Sequence, residues 1–123
     1  MILVVDDDPS VRSTIGQALT ALGYAVREAA DGPTAIEIVE VEPPTLVILD
    51  YMMPGMDGAE VARAIAAMDP ELPIVFSTGH AALRALRVAA GEDVPALEKP
   101  FTLDELDELL RDRLAERRRA RIA

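Results

Sequence analysis

Leu46-Val47-Ile48-Leu49-Asp50-Tyr51-Met52-Met53-Pro54-Gly55-Met56-Asp57-Gly58 runs four apolar residues straight into a carboxylate, then into a turn with two glycines. Four consecutive apolar residues without alternation mark a strand buried on both faces, as in a parallel sheet covered by helices. Asp50 therefore stands where a central strand leaves the core, and a carboxylate is costly there without a partner or a task. Gly55 and Gly58 free the backbone that follows to return to the same spot.

Working outward, short apolar runs at residues 2–5, 25–29, 46–49, 74–77 and 96–97 read as strands, each bounded by turn or acidic residues. Between them, Val11, Ile15, Ala18, Leu19 and Leu22 fall at helical spacing over residues 10–22, with Ser10 as the expected N-cap and Gly23 as the stop. Further helices are expected over 33–41, 58–68, 81–90 and 103–118. Strict alternation of strand and helix predicts the α/β class: a five-stranded parallel sheet, doubly wound, with right-handed crossovers and helices on both faces. In such sheets sites form beyond the carboxyl ends of the strands.

The chain has 123 residues, half of them apolar and only four aromatic, enough for one aliphatic-cored domain over residues 1–123. With no cysteine, disulfides and thiolate metal sites are excluded and a reducing, cytoplasmic location is expected. The apolar run at the N-terminus is too short for a signal peptide or a membrane span, so no membrane partner is expected. Net charge is −10, yet six of the twelve basic residues lie between Arg111 and Arg121; residues 1–110 hold six basic and twenty acidic groups, or −14. That balance disfavours a nucleic-acid partner for the body of the domain. The last helix, acidic at its start and ending in an Arg-rich tail, matches the helix dipole.

Four clusters project from one rim of the expected sheet: Asp6-Asp7-Asp8, Asp50, Ser77-Thr78 and Glu98-Lys99. Several carboxylates gathered together resist ionising unless a cation neutralises them. Magnesium suits a small acidic pocket, because it takes one or two protein carboxylates, keeps waters and shares phosphate oxygens. Lys99 is the only lysine among the twelve basic residues, a compact charge on a turn that Pro100 stiffens. Each cluster also has a plain reading: Asp6-Asp7-Asp8 as a capping turn, Thr78 as a helix cap, His80 as a surface residue opening a helix.

In sequence, Val4-Val5-Asp6-Asp7-Asp8-Pro9, Leu49-Asp50 through Gly58, Thr78-Gly79 and Lys99-Pro100-Phe101 resemble the receiver domains of response regulators over essentially the whole chain. The resemblance implies strand order 2-1-3-4-5 and a cis bond between Lys99 and Pro100. It implies a phosphoacceptor role in two-component signalling, with Asp50 as the nucleophile and Mg2+ as the cofactor. Asp6, Asp7, Asp50 and the carbonyl of Met52 would hold the metal, Asp6 mainly through water. Lys99 would pair with Asp50 and then with the phosphoryl group, to which Thr78 would hydrogen-bond. Such a chain would be no enzyme beyond its own phosphorylation and dephosphorylation. Its partners would be a histidine kinase or histidine phosphotransfer protein, a downstream protein target and, compatibly, a second copy in a homodimer.

Two departures qualify the pattern. Ala96 stands where many members carry Tyr or Phe, so readout through an inward-swinging aromatic is not expected. Residues 91–96 look more like receivers fused to sensor kinases. Met52 and His80 occupy positions that the resemblance links to phosphoryl lifetime, and Met52, unable to orient water by hydrogen bonding, implies a long-lived state. Two other classes compete with this one: a magnesium-dependent phosphatase, for which the chain lacks a general acid after Asp50, where Met52 stands, and an unphosphorylated interaction module.

Overall fold

The structure, a computed structural model, describes the backbone of residues 1–122 and the side chains up to Arg117. Five strands and five helices alternate: β1 (Ile2–Val5), α1 (Pro9–Ala21), β2 (Val26–Ala29), α2 (Gly32–Val41), β3 (Leu46–Asp50), α3 (Gly58–Met68), β4 (Ile74–Thr78), α4 (His80–Ala90), β5 (Ala96–Glu98) and α5 (Leu103–Ile122). All pairings are parallel, and the order is β2-β1-β3-β4-β5, as the resemblance implied.

Strand parity divides the core. Leu3, Val5, Val47, Leu49 and Phe76 face α2, α3 and α4, where Ile38, Val61, Ile65 and Leu86 meet them. Ile2, Val4, Ile48, Val75 and Leu97 face the other way, onto Ile15 and Leu19 of α1 and Leu106 and Leu110 of α5. Both β1 and β3 are buried along their whole length, which explains why they read as unbroken apolar runs. Each fully buried Leu or Ile contributes roughly 1.5–3 kcal/mol.

Element ends shift by a residue or two from the expected ones, with physical causes. Ladder pairing of Asp50 with Ser77 and of Thr78 with Glu98 carries β3, β4 and β5 one residue further, so Asp50 and Thr78 belong to the sheet rather than to loops. Ala25 lies outside β2, accepting a single bond from the Ile2 amide. Ser10 does not cap α1: the Asp8 carboxylate accepts from the amides of Ser10 and Val11, and Pro9 occupies the first turn, where its missing N–H costs nothing. Gly23, at φ +95°, ends that helix as expected. Helix α5 runs to Ile122 rather than 118. The side chains of Arg118, Arg119 and Arg121 lie outside the described residues.

Candidate functional site

The carboxyl ends of β1, β3, β4 and β5 meet at one rim, and local chemistry fixes what each contributes. Asp6 follows β1 and is buried; Asp7, next along, is exposed; Asp50 ends β3 and is 6% exposed. Oxygens of these three carboxylates lie within 4.8 Å of one another. Asp8, the third of the run, is committed to capping α1. The return of the chain after β3 depends on Gly58, the first residue of α3. A Cβ there would stand 2.5 Å from the Asp50 carbonyl oxygen and 2.7 Å from the Tyr51 Cα. Gly55, at φ +78°, makes the turn before it, and Asp57 and Glu60 close a capping box on α3.

Lys99 reaches into this cluster. Its Nζ donates to Asp6 Oδ2 at 2.8 Å and stands 3.7 Å from Asp50 Oδ1. The ammonium thus sits closer to Asp6 than to the expected partner, Asp50. The reason is placement: Asp6 is the more buried carboxylate, and the Asp50 oxygen already accepts the Met52 amide at 3.3 Å. The Lys99 amide donates to the Thr78 carbonyl at 2.8 Å, and the Lys99–Pro100 bond is cis. Thr78 is buried at the end of β4; among the described residues its hydroxyl makes no hydrogen bond to the carboxylates. Met52 is 63% exposed, and its backbone, not its side chain, meets the site through the amide on Asp50.

Burial pushes the Asp50 carboxyl up from 3.8 to about 6; the Asp6 and Asp7 carboxylates push the same way, while Lys99 and the Met52 amide only partly oppose them. This donor set fits a hard divalent cation. It offers clustered oxygen ligands, one of them solvent-facing, and a carboxylate that lacks enough positive charge nearby.

Residues 2–111 match the family model described as the response regulator receiver domain. The chain belongs to that family. The receiver is 41% identical over 107 residues to the response regulator MprA of Mycolicibacterium vanbaalenii, a match covering 85% of this chain and 46% of that protein. Similarity to MprA of Mycobacterium avium is 40% over the same span. The chain therefore spans about half the length of the curated relatives it matches. Among solved structures, the receiver domain of NtrX from Brucella abortus superposes with a TM-score of 0.86 at 31% identity, covering 94% of this chain and 98% of that one. A CheY-like receiver domain protein from Methanospirillum hungatei gives 0.85 at 29% identity, covering 97% and 96%.

One pair beside the receiver's acidic rim, Arg12 and Glu28, escaped sequence reasoning. Arg12 of α1 donates from Nη1 to the Asp6 carbonyl at 2.8 Å and from Nε to Glu28 of β2 at 3.2 Å. A signal was present: a cation near a helix N-terminus opposes the dipole and needs another reason to be there. Ser77 is 1% exposed beside Asp50 in the ladder, and its Oγ has no hydrogen-bond partner among the described residues. His80 opens α4 exposed, as expected, with Nδ1 2.5 Å from Glu98 Oε1. Ala96 is half-buried beside Phe76 in the β4–β5 ladder. No helix of the described residues is long and apolar enough to cross a membrane.

Proposed function

We propose that this receiver accepts one phosphoryl group onto Asp50 from a phosphohistidine and thereby switches a surface that another protein reads. The observation that carries the reading is the buried Asp50 carboxylate, with two further carboxylates within 4.8 Å and an ammonium at 3.7 Å. Asp6, Asp7, Asp50 and the Met52 carbonyl would hold Mg2+, with Asp6 reached mainly through water. Bound magnesium supplies the positive charge that offsets the phosphoryl oxygens during transfer.

In the proposed step, a carboxylate oxygen of Asp50 attacks phosphorus. The O–P bond forms as the donor's N–P bond breaks, and the imidazole leaves with the electron pair. No base is required, because a group titrating at about 6 is mostly ionised at neutral pH. Lys99 then shares its charge between Asp6 and the phosphoryl group, and the Thr78 hydroxyl turns to donate to a phosphoryl oxygen. The Lys99 amide donates to the Thr78 carbonyl at 2.8 Å, which keeps the two residues side by side at the rim. With Ala96 in place of an aromatic, the output is a change over residues 80–96 rather than a ring flip.

Upstream, the reading takes a histidine kinase or histidine phosphotransfer protein in the cytoplasm as donor. Downstream it takes a protein target, with homodimer formation as one route. The disfavoured nucleic-acid contact concerns only the acidic body of the domain. Intact-mass analysis after incubation with acetyl phosphate and magnesium tests the proposal. One added phosphoryl group in the native chain, absent with Asp50→Asn and with a chelator, is the expected result; no addition to a folded, magnesium-binding native chain overturns it.

A further inference from the structure

We infer that Arg12 and Glu28 form a positioning pair for the cation site, holding the peptide that carries Asp7 while keeping a nearby guanidinium off the carboxylates. This rests on the reading of Asp6, Asp7 and Asp50 as metal ligands.

The Asp6 carbonyl begins the peptide that leads to Asp7, the exposed carboxylate of the cluster. That carbonyl lies just past the β1 ladder, where a backbone acceptor needs a partner from elsewhere. Arg12 Nη1 supplies it at 2.8 Å. The Asp6 amide is held by the Ala29 carbonyl at 3.2 Å, and its carboxylate by the Asp8 amide at 2.9 Å and Lys99 at 2.8 Å. Every polar group of Asp6 is therefore tied. Loss of the Arg12 bond would free the peptide between Asp6 and Asp7 to rotate.

The same guanidinium is a hazard. It is anchored on the carbonyl of Asp6, whose carboxylate belongs to the cluster, and a planar fork pairs readily with a carboxylate. Without restraint it could swing onto exposed Asp7 and occupy the place of a cation. Glu28 provides the restraint, accepting from Arg12 Nε at 3.2 Å on β2, the strand on the opposite side of β1 from the Asp50 strand. Gly16 of α1 faces Glu28, and a Cβ there would lie 3.6 Å from Glu28 Oε2, in ordinary van der Waals contact. Arg12 is mostly buried, with 18% of its side chain exposed against 44% for Glu28, whereas the Arg27–Glu42 pair, on the opposite face of β2, is 49% and 56% exposed.

Magnesium titration of the full chain by calorimetry, without phosphodonor, tests the inference. Native protein should bind magnesium and Asp7→Asn should not; failure of the native chain to bind would overturn the cation site and this inference with it. Given native binding, Arg12→Gln and Glu28→Gln should each weaken magnesium roughly tenfold, the usual scale for a residue that orients metal ligands. The double variant should be no weaker than Arg12→Gln alone, since Glu28 acts only through Arg12. Arg12→Lys should not rescue, because one ammonium cannot serve the carbonyl and Glu28 with fixed fork geometry. Glu42→Gln, which breaks the exposed pair on Arg27, should leave affinity unchanged. Affinities within twofold of native in both single variants, or losses that multiply in the double variant, would overturn the pairing. Should Arg12→Gln fail to fold by circular dichroism, the surface variant Glu28→Gln decides alone.

Discussion

Replacing Asp50 by Asn should stabilise the metal-free protein, and by an amount that depends on pH in a defined direction. The folded state raises the Asp50 carboxyl from 3.8 to about 6, chiefly through burial. Between those two values the native chain binds more protons at this site than the unfolded chain does. Native stability therefore falls as pH rises through the window, and the full penalty is present above the folded value. At 1.36 kcal/mol per unit, a rise of roughly two units corresponds to about 3 kcal/mol. Asn has the shape of the protonated acid and carries no such term, and its amide oxygen can still accept the Met52 N–H that Asp50 accepts at 3.3 Å. Urea unfolding in chelator should thus give Asp50→Asn an advantage of about 2–3 kcal/mol near pH 7.5, shrinking towards zero near pH 4. Magnesium should close the gap from the other side by stabilising only the native carboxylate cluster. An advantage independent of pH, or none near neutrality, would refute the argument that burial of this charge is the cause.

Other perturbations follow from the same geometry. Gly58→Ala should cost about 1–3 kcal/mol in urea unfolding, because its Cβ would stand 2.5 Å from a backbone oxygen that cannot yield. Ser77→Ala should raise stability by about 1 kcal/mol by removing a buried hydroxyl without a partner, with the unfolding midpoint as the readout. Lys99→Met should destabilise the metal-free chain by about 2 kcal/mol, since buried Asp6 loses its charged donor; added magnesium should recover part of this, measured by thermal shift. Asp8→Ala should cost about 1 kcal/mol through loss of the α1 cap, with Ser10 unable to substitute.

Much of this was legible in the chain. The unbroken apolar runs ending in carboxylates announced β1 and β3 and put Asp6, Asp7 and Asp50 on one rim, because parallel strands present their carboxyl ends together. Strand order was not legible from periodicity, which says which residues are buried but not which strands are neighbours; it came from the resemblance. The sequence offered both a capping turn at Asp6-Asp7-Asp8 and Ser10 as the N-cap; Ser10 and Asp8 are both good capping residues, and only the φ/ψ break decides between them. Lys99 was rightly placed at the rim, but its preference for Asp6 depends on relative burial, a property of the assembled sheet. Arg12 and Glu28 lie sixteen residues apart, and their meeting required the β1-β2 pairing to be known.

The reach of Lys99 has one more consequence. Strands β1 and β5 are not neighbours; β3 and β4 lie between them, three strand spacings or roughly 14 Å in a flat sheet. The Lys99 side chain closes much of that gap, lying across the rim as a strap from the edge strand to the centre. Strand β5 has only three residues and one ladder partner, so it is the part of the sheet most prone to fray. Its fastening is the very charge that phosphorylation would draw away. The amide hydrogens of residues 96–98 should therefore exchange at a rate set by the chemistry at Asp50, making the edge of the sheet a gauge of the charge at its centre.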